Sequence, residues 1–214
     1  MTQTVNPRLE LFFLFCILVS VIGLLTAAML TALKRRGAAK RWLKALGVGW
    51  AAYLSIVLVV AAATPQRVIP MGQDLCFDEL CFAVVNVRTA TELGPSHPPL
   101  RAKGRFYIVT VRASSHARGR AQSERSLHAQ LWSPDHEYEV SPAGQRAWNG
   151  TRAENVPLTT RLGPGQSVLS DQVFDVDAPA EGLGLVLSNG FTPGFFVIGE
   201  SPLFHEPTIL RLSR

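Results

Sequence analysis

The pattern of apolar positions in this chain changes near residue 63. Residues 11–33 carry no charged side chain, and neither do residues 45–63. As helices at 1.5 Å per residue these runs span ~34 Å and ~28 Å, comparable with the ~30 Å hydrocarbon core of a bilayer. From residue 82 onward, apolar residues recur at every second position in short groups. Phe82-Ala83-Val84-Val85-Asn86-Val87 is the first, and 106–112 is the clearest, with Tyr107, Val109 and Val111 on one face. Leu127, Ala129 and Leu131 alternate with polar residues, and Tyr138 and Val140 do so after a Ser133-Pro134-Asp135 turn. Later groups are 173–176, Leu183/Leu185/Leu187, 195–198 and 208–212. About eight such segments, punctuated by Pro, Gly, Asp and Asn and without long helical periodicity, predict an antiparallel β-sandwich.

The expected layout is therefore two N-terminal transmembrane helices followed by an all-β domain. A hairpin occupies 1–63, with helices at 11–33 and 45–63 joined by a loop at 34–44. A stalk at 64–72 contains Pro65 and Pro70, and the sandwich fills 73–214. Gly23/Ala27 and Gly47/Ala51 place small residues four apart, a spacing that lets helices approach closely in a membrane, although Gly and Ala are common in such helices anyway. Trp42, Trp50 and Tyr53 include residue types suited to membrane interfaces. Ala61-Ala62-Ala63 before Thr64 also resembles a leader-peptide cleavage site. The apolar run before it is longer than a usual leader core and a helix lies upstream, so an uncleaved anchor is expected. Cys16 follows Phe15, where lipid attachment needs a small residue, and reads as an apolar helix side chain.

Charge follows the same division. The chain has a net formal charge of +5. Residues 64–214 hold 14 Lys+Arg against 15 Asp+Glu. The excess lies in Lys34, Arg35, Arg36, Lys40, Arg41 and Lys44. A basic cluster between two apolar helices is a topology signal, retained on the cytoplasmic side. Both termini are then outside. The basic isoelectric point therefore does not argue for nucleic-acid binding, and the expected partner is the lipid bilayer.

That topology places Cys76 and Cys81 in an oxidising space. In a straight strand their Cα atoms would be ~17 Å apart, whereas a disulfide needs about 4.4–6.8 Å. Pairing therefore requires the chain to turn back, with Asp78-Glu79 as the tip. The alternative, a metal site, lacks two further nearby ligands. So short a loop contributes only ~2 kcal/mol by chain entropy.

No catalytic, metal or cofactor motif emerges. His128 and His136 flank a predicted turn with Asp135 and Glu137 and could converge on a metal, yet no closed four-ligand set is present. His205 with Glu200 reads as a structural pair. Ser114-Ser115-His116 and Ser126-Leu127-His128 lack a nucleophile elbow. Gly163-Pro164-Gly165 is a turn rather than a phosphate loop, and Asn149-Gly150-Thr151 reads as a turn. Arg101, Lys103, Arg105, Arg112, Arg118, Arg120 and Arg125 concentrate positive charge, opposed only by Glu124. Residues 94–99 and 112–125 read as mobile loops. Arg112, Arg118, Arg120 and Arg125 are the candidates for contact with anionic lipids, envelope polymers or envelope proteins.

Several segments, in order, resemble a family of bacterial cell-envelope domains of unknown function with an immunoglobulin-like, telokin-like sandwich. They are Gln73-Asp74-Leu75-Cys76-Phe77-Asp78-Glu79-Leu80-Cys81, Gly104-Arg105-Phe106-Tyr107-Ile108-Val109-Thr110-Val111 and Leu131-Trp132-Ser133-Pro134-Asp135-His136-Glu137-Tyr138. Leu162-Gly163-Pro164-Gly165-Gln166-Ser167 with Val173-Phe174-Asp175-Val176, and Ile198-Gly199-Glu200-Ser201-Pro202-Leu203-Phe204-His205 with Pro207-Thr208, complete the likeness. The resemblance implies an extracytoplasmic domain at a bacterial inner or plasma membrane, with no general activity to carry over. The expected function is a non-catalytic binding module. The alternatives are an accessory subunit docking through its helix hairpin, or an envelope hydrolase using His128 and His136.

Overall fold

A computed structural model describes residues 7–95, 98–151, 155–177, 182–188, 198 and 207–213. The strand expected at 195–198, the His205–Glu200 pair and the C-terminal motif of the resemblance lie largely or wholly outside them.

Two helices, α1 (Pro7–Ala32) and α2 (Arg36–Ala63), form an antiparallel pair. Residues 36–44, read as loop, are helix. Alanine, lysine and arginine are good helix formers and nothing in this stretch breaks the pattern. The reversal takes only 33–35. Arg35 N–H bonds Leu30 O and Lys34 N–H bonds Thr31 O, with Lys34 at φ 58. This is a Schellman cap with lysine where glycine is usual. Phe13, Cys16, Ser20, Gly23, Ala27 and Leu30 of α1 turn toward Leu46, Trp50, Tyr53, Val57 and Ala61 of α2. The spacing of three and four residues makes one helical stripe.

Gly23 meets Leu46, but Gly47 has open space beside it and Ala51 is exposed. Only the first of the two small-residue pairs serves the hairpin. Trp50 and Tyr53, suggested as interfacial anchors, lie in the seam. Trp50 Nε1 donates to Ser20 Oγ at 2.8 Å, and Tyr53 rings contact Trp50 and Phe13. Trp42 remains exposed.

The β region has two sheets. Its strands are β1 (Val68–Ile69), β2 (Leu75–Phe77), β3 (Leu80–Leu93), β4 (Leu100–Ser115), β5 (His128–Trp132), β6 (Glu137–Glu139), β7 (Ser167–Val176), β8 (Gly184–Ser188) and β9 (Ile209–Arg211). One sheet has the order β1-β9-β8-β5-β6 and the other β2-β3-β4-β7. All pairings are antiparallel except β1 with β9. Part of the presumed stalk thus belongs to the sheet: Val68 pairs Ile209, and Gln66 donates to Pro207 O. A two-residue strand is too short for its periodicity to show in the sequence.

Between the sheets, Phe82, Val84, Val109, Val111, Leu131, Phe174, Leu185 and Leu210 form the core. Tyr107 only packs at its margin. The other face of β4 is buried too, with Phe106 and Ile108 each 1% exposed. Their cover is a helix absent from the periodicity reading, α3 (Pro142–Asn149), through Ala147 and Trp148. Ser141 caps it, accepting from Gly144 N–H at 3.1 Å, and Pro142 suits the first turn. A Cβ on Gly144 would stand 2.9 Å from Val173 Cγ1 and 3.2 Å from Phe106. The helix lies so close to the sheet that only glycine fits there.

Candidate functional site

At one end of the sandwich three connections meet. The first is the β2–β3 turn, with Asp78 at φ 54, a left-handed position that Asp tolerates. It sets Cys76 directly opposite Cys81, and the two form a disulfide with 3.9 Å between Cα atoms. The second is the β4–β5 connection, 116–127. His116 N–H bonds Glu79 O, and Gln122 exchanges two backbone hydrogen bonds with Leu162 at 2.8 and 2.9 Å. Gln122 Nε2 also donates to Glu79, tying the second to the first. The third, 155–166, is tied to the second: Arg161 Nε donates to Ala121 O, and Gly165 N–H to Ser115 O at the end of β4. The 116–127 segment, read as a loop from its composition, is held by cross-links of this kind.

The predicted arginines separate on this frame. Arg112 lies in β4 rather than a loop, and its guanidinium bonds Asp74 at 3.0 Å. Arg118, Arg120 and Arg125 are exposed on the pinned connection and have no hydrogen-bond or ion-pair partner among the described residues. Arg101 and Arg105 stand near the opposite end of β4, a strand of 16 residues and therefore ~50 Å long. Arg101 is paired with Glu92 at 2.9 Å. The basic region 101–125 is one run in sequence and two places in space. The strand expected at 106–112 already ended on Arg112, and the structure carries it on to Ser115.

A groove of about 360 Å³ lies beside α3, lined among others by His128, Glu139, Gln145, Asn149, Asn155 and Gln172. Its amides are engaged in holding the structure together. Val173 N–H donates to Gln145 Oε1 and Asp171 N–H to Asn155 Oδ1. Gln145 and Asn155 each donate to Asp171 O and to Asn149 Oδ1. Together with the Val140–Phe174 bridge they cover the β7 edge as a strand would. Asp171, 1% exposed, accepts from Thr110 Oγ1 at 2.7 Å and Trp148 Nε1 at 2.9 Å. Arg88 lies 3.7 Å from it and stacks over Trp148. A buried charge needs such partners. Sequence reading missed this cluster, because Arg88, Thr110, Trp148 and Asp171 come from four separate elements.

His128 starts β5 and His136 lies in the turn beyond its other end. Among the described residues no three His, Cys, Asp or Glu side chains converge as metal ligands. Ser115 is buried, and Ser114 Oγ donates to Cys81 O, so neither serine is presented as a nucleophile. Asn149 ends α3, and Gly150 is its C-cap. Near the β5–β6 turn, the Tyr138 phenol is pushed above its ordinary value of 10.0. Loss of solvent is the first cause, followed by the charge of Asp177 and a hydrogen bond to it.

No protein-family model matches the chain, and no curated protein matches it. Among solved structures, a conserved hypothetical protein from Bacillus anthracis is similar over 57% of this chain and 92% of its own, at 12% identity and TM-score 0.46. A secreted protein from Mycobacterium tuberculosis is similar over 60% and 93%, at 16% identity and TM-score 0.42. An uncharacterized β-sandwich protein from Clostridium difficile is similar over 58% and 87%, at 8% identity and TM-score 0.39.

Proposed function

We propose that this chain is a membrane-anchored, non-catalytic binding module of a bacterial envelope, its β-sandwich immunoglobulin-like and outside the cytoplasm. The hairpin supports the anchor. Leu25 and Val48, 66% and 70% exposed, present apolar side chains that a soluble core helix would bury. The basic residues at its bend support the direction, and a disulfide in the sandwich suits an oxidising compartment. The strand order supports the immunoglobulin-like class. β4 crosses to β5 in the other sheet, β7 returns, and β8 and β9 cross again, the Greek-key alternation of that fold. The binding surface is the pinned 116–127 connection, and the ligand is an anionic lipid surface.

The observation that carries the binding assignment is that three guanidiniums on a held segment have no hydrogen-bond or ion-pair partner among the described residues. Arginine forks suit phosphate recognition. The test uses the full chain in neutral phosphatidylcholine proteoliposomes and measures capture of phosphatidylglycerol vesicles. Changing Arg118, Arg120 and Arg125 together to Ser is expected to cut capture several-fold, as is high salt. Unchanged capture by the triple variant sinks the assignment. An Arg118→Cys probe in a Cys16→Ser background tests the topology separately. It should react with a membrane-impermeant maleimide in intact cells.

A further inference from the structure

The helix hairpin carries an apolar groove of about 390 Å³ along one side of its seam. Phe15, Trp42, Trp50 and Tyr53 line it, together with Gly23 and Gly49. A Cβ on Gly49 would meet nothing within 4 Å. The polar atoms of Trp50 and Ser20 are already engaged: Trp50 Nε1 donates to Ser20 Oγ, and Ser20 Oγ donates to Cys16 O. Such walls suit a hydrocarbon occupant. Trp42 and Tyr53 lie about 17 Å apart along α2, close to half of a ~30 Å hydrocarbon core and hence to the depth of one leaflet.

One end of the groove is cationic. Arg41 precedes Trp42 and stands one helical turn before Ala45, another lining residue. Trp50 meets Ser20, and Leu46 meets Gly23. By that pairing Arg41 is level with about Ala28, inside the charge-free run 11–33 of α1. No Asp or Glu occurs between residues 11 and 73. Among the described residues Arg41 has no hydrogen-bond or ion-pair partner. At that depth in a bilayer a cation is costly unless an anion accompanies it.

We propose that this groove holds an acyl chain of one anionic glycerophospholipid, with the lipid phosphate on Arg41. The site exists only if the hairpin is the anchor proposed above. Charge selects the occupant. A second hairpin in the same orientation would bring its own basic turns, with no acidic residue, to the same level. A zwitterionic lipid would fill the groove and bring no net charge to Arg41. The Arg41 Cβ leans toward the N-terminus of α2, so its long stem can carry the guanidinium toward the bend, where a headgroup of that leaflet would lie.

The test uses the full chain in phosphatidylcholine proteoliposomes and reads tryptophan quenching by lipids brominated in mid-chain. Trp42 and Trp50 line the groove and report its occupant. The background carries Arg118→Ser, Arg120→Ser and Arg125→Ser, which removes the sandwich's proposed contact with the same headgroup. Brominated phosphatidylglycerol at low mole fraction should quench in a saturable phase that the same fraction of brominated phosphatidylcholine lacks. Arg41→Gln should weaken that phase roughly fivefold. Gly49→Phe, which takes up the groove's volume, should abolish it. Lys44→Gln, two residues from Trp42 and so off the groove face, should leave it unchanged. Equal quenching by the two headgroups, a phosphatidylglycerol preference that survives Gly49→Phe, or equal effects of Arg41→Gln and Lys44→Gln would each overturn the site and leave the anchor standing. Quenching by neither lipid, even when brominated phosphatidylcholine forms the whole bilayer, would sink the anchor and the site with it. In native membranes a photoactivatable side chain placed at Gly49 should label lipid; an adduct with another polypeptide would overturn the site.

Discussion

In the hairpin most leucines and valines lie outside, with Ser20, Gly23 and Ala27 in the seam beside Leu46 and Val57; in the sandwich most leucines and valines lie inside, and arginine and glutamate cover the surface. Leu25 of α1 is 66% exposed, whereas Leu131 and Leu185 are 0% exposed. The same side chains are placed by opposite rules, which is what the proposed anchor requires, since it would meet a different solvent from the sandwich. In water, apolar area is driven inward at about 25 cal/mol per Å². If the hairpin is the membrane anchor proposed above, that drive vanishes in hydrocarbon, and close approach through small residues and an interhelical hydrogen bond such as Trp50 to Ser20 takes over.

The largest expected effect lies on the watery side of this comparison. Phe174→Ala should destabilise the β region by about 3–5 kcal/mol in denaturant unfolding, because a fully enclosed aromatic leaves a cavity. A paired substitution comes next and can break the comparison outright. Leu25 and Leu169 are similarly exposed, at 66% and 55%. Leu25→Lys should cost about 2.5–3.5 kcal/mol in a membrane-insertion assay, while Leu169→Lys should shift sandwich stability by no more than about 0.5 kcal/mol. Equal, small effects would mean that α1 does not face lipid.

Replacing Cys76 and Cys81 by Ser together should lower sandwich stability by about 2 kcal/mol and leave the hairpin unchanged. A thermal shift confined to the β region checks this. The smallest effect concerns Tyr138. Its folded pKa is raised, so the protonated phenol is favoured in the native state. That contribution is complete below pH ~10 and is lost as pH rises through the folded pKa. Tyr138→Phe should flatten the fall in stability above pH 10 in an alkaline unfolding series.

Much of this was legible from residue order. The two apolar runs, the alternation from Phe82 to Leu187 and the Cys-x4-Cys turn each rest on neighbours within a few positions. The helix α3 was not legible. Eight residues are too few for a period of 3.6 to show, and Gly144 counts against a helix until Val173 and Phe106 are seen beneath it. The arginines show the same limit. Arg112 looks like Arg118 along the chain, yet β4 carries one to Asp74 and leaves the other in solvent.

Local chemistry was thus decided by the sequence itself: where the apolar runs lie, where the charge falls, and which cysteines can meet. Tertiary structure alone decided which groups are already engaged. Asp171 meets Thr110, Trp148 and Arg88 only because a central strand, an edge strand and a capped helix converge. Among the described residues, β3 beyond Val84 has no second neighbouring strand because β2 begins only at Leu75, opposite Phe82. Hydrogen-bond partners across a sheet lie far apart in sequence, and so no local pattern contains them.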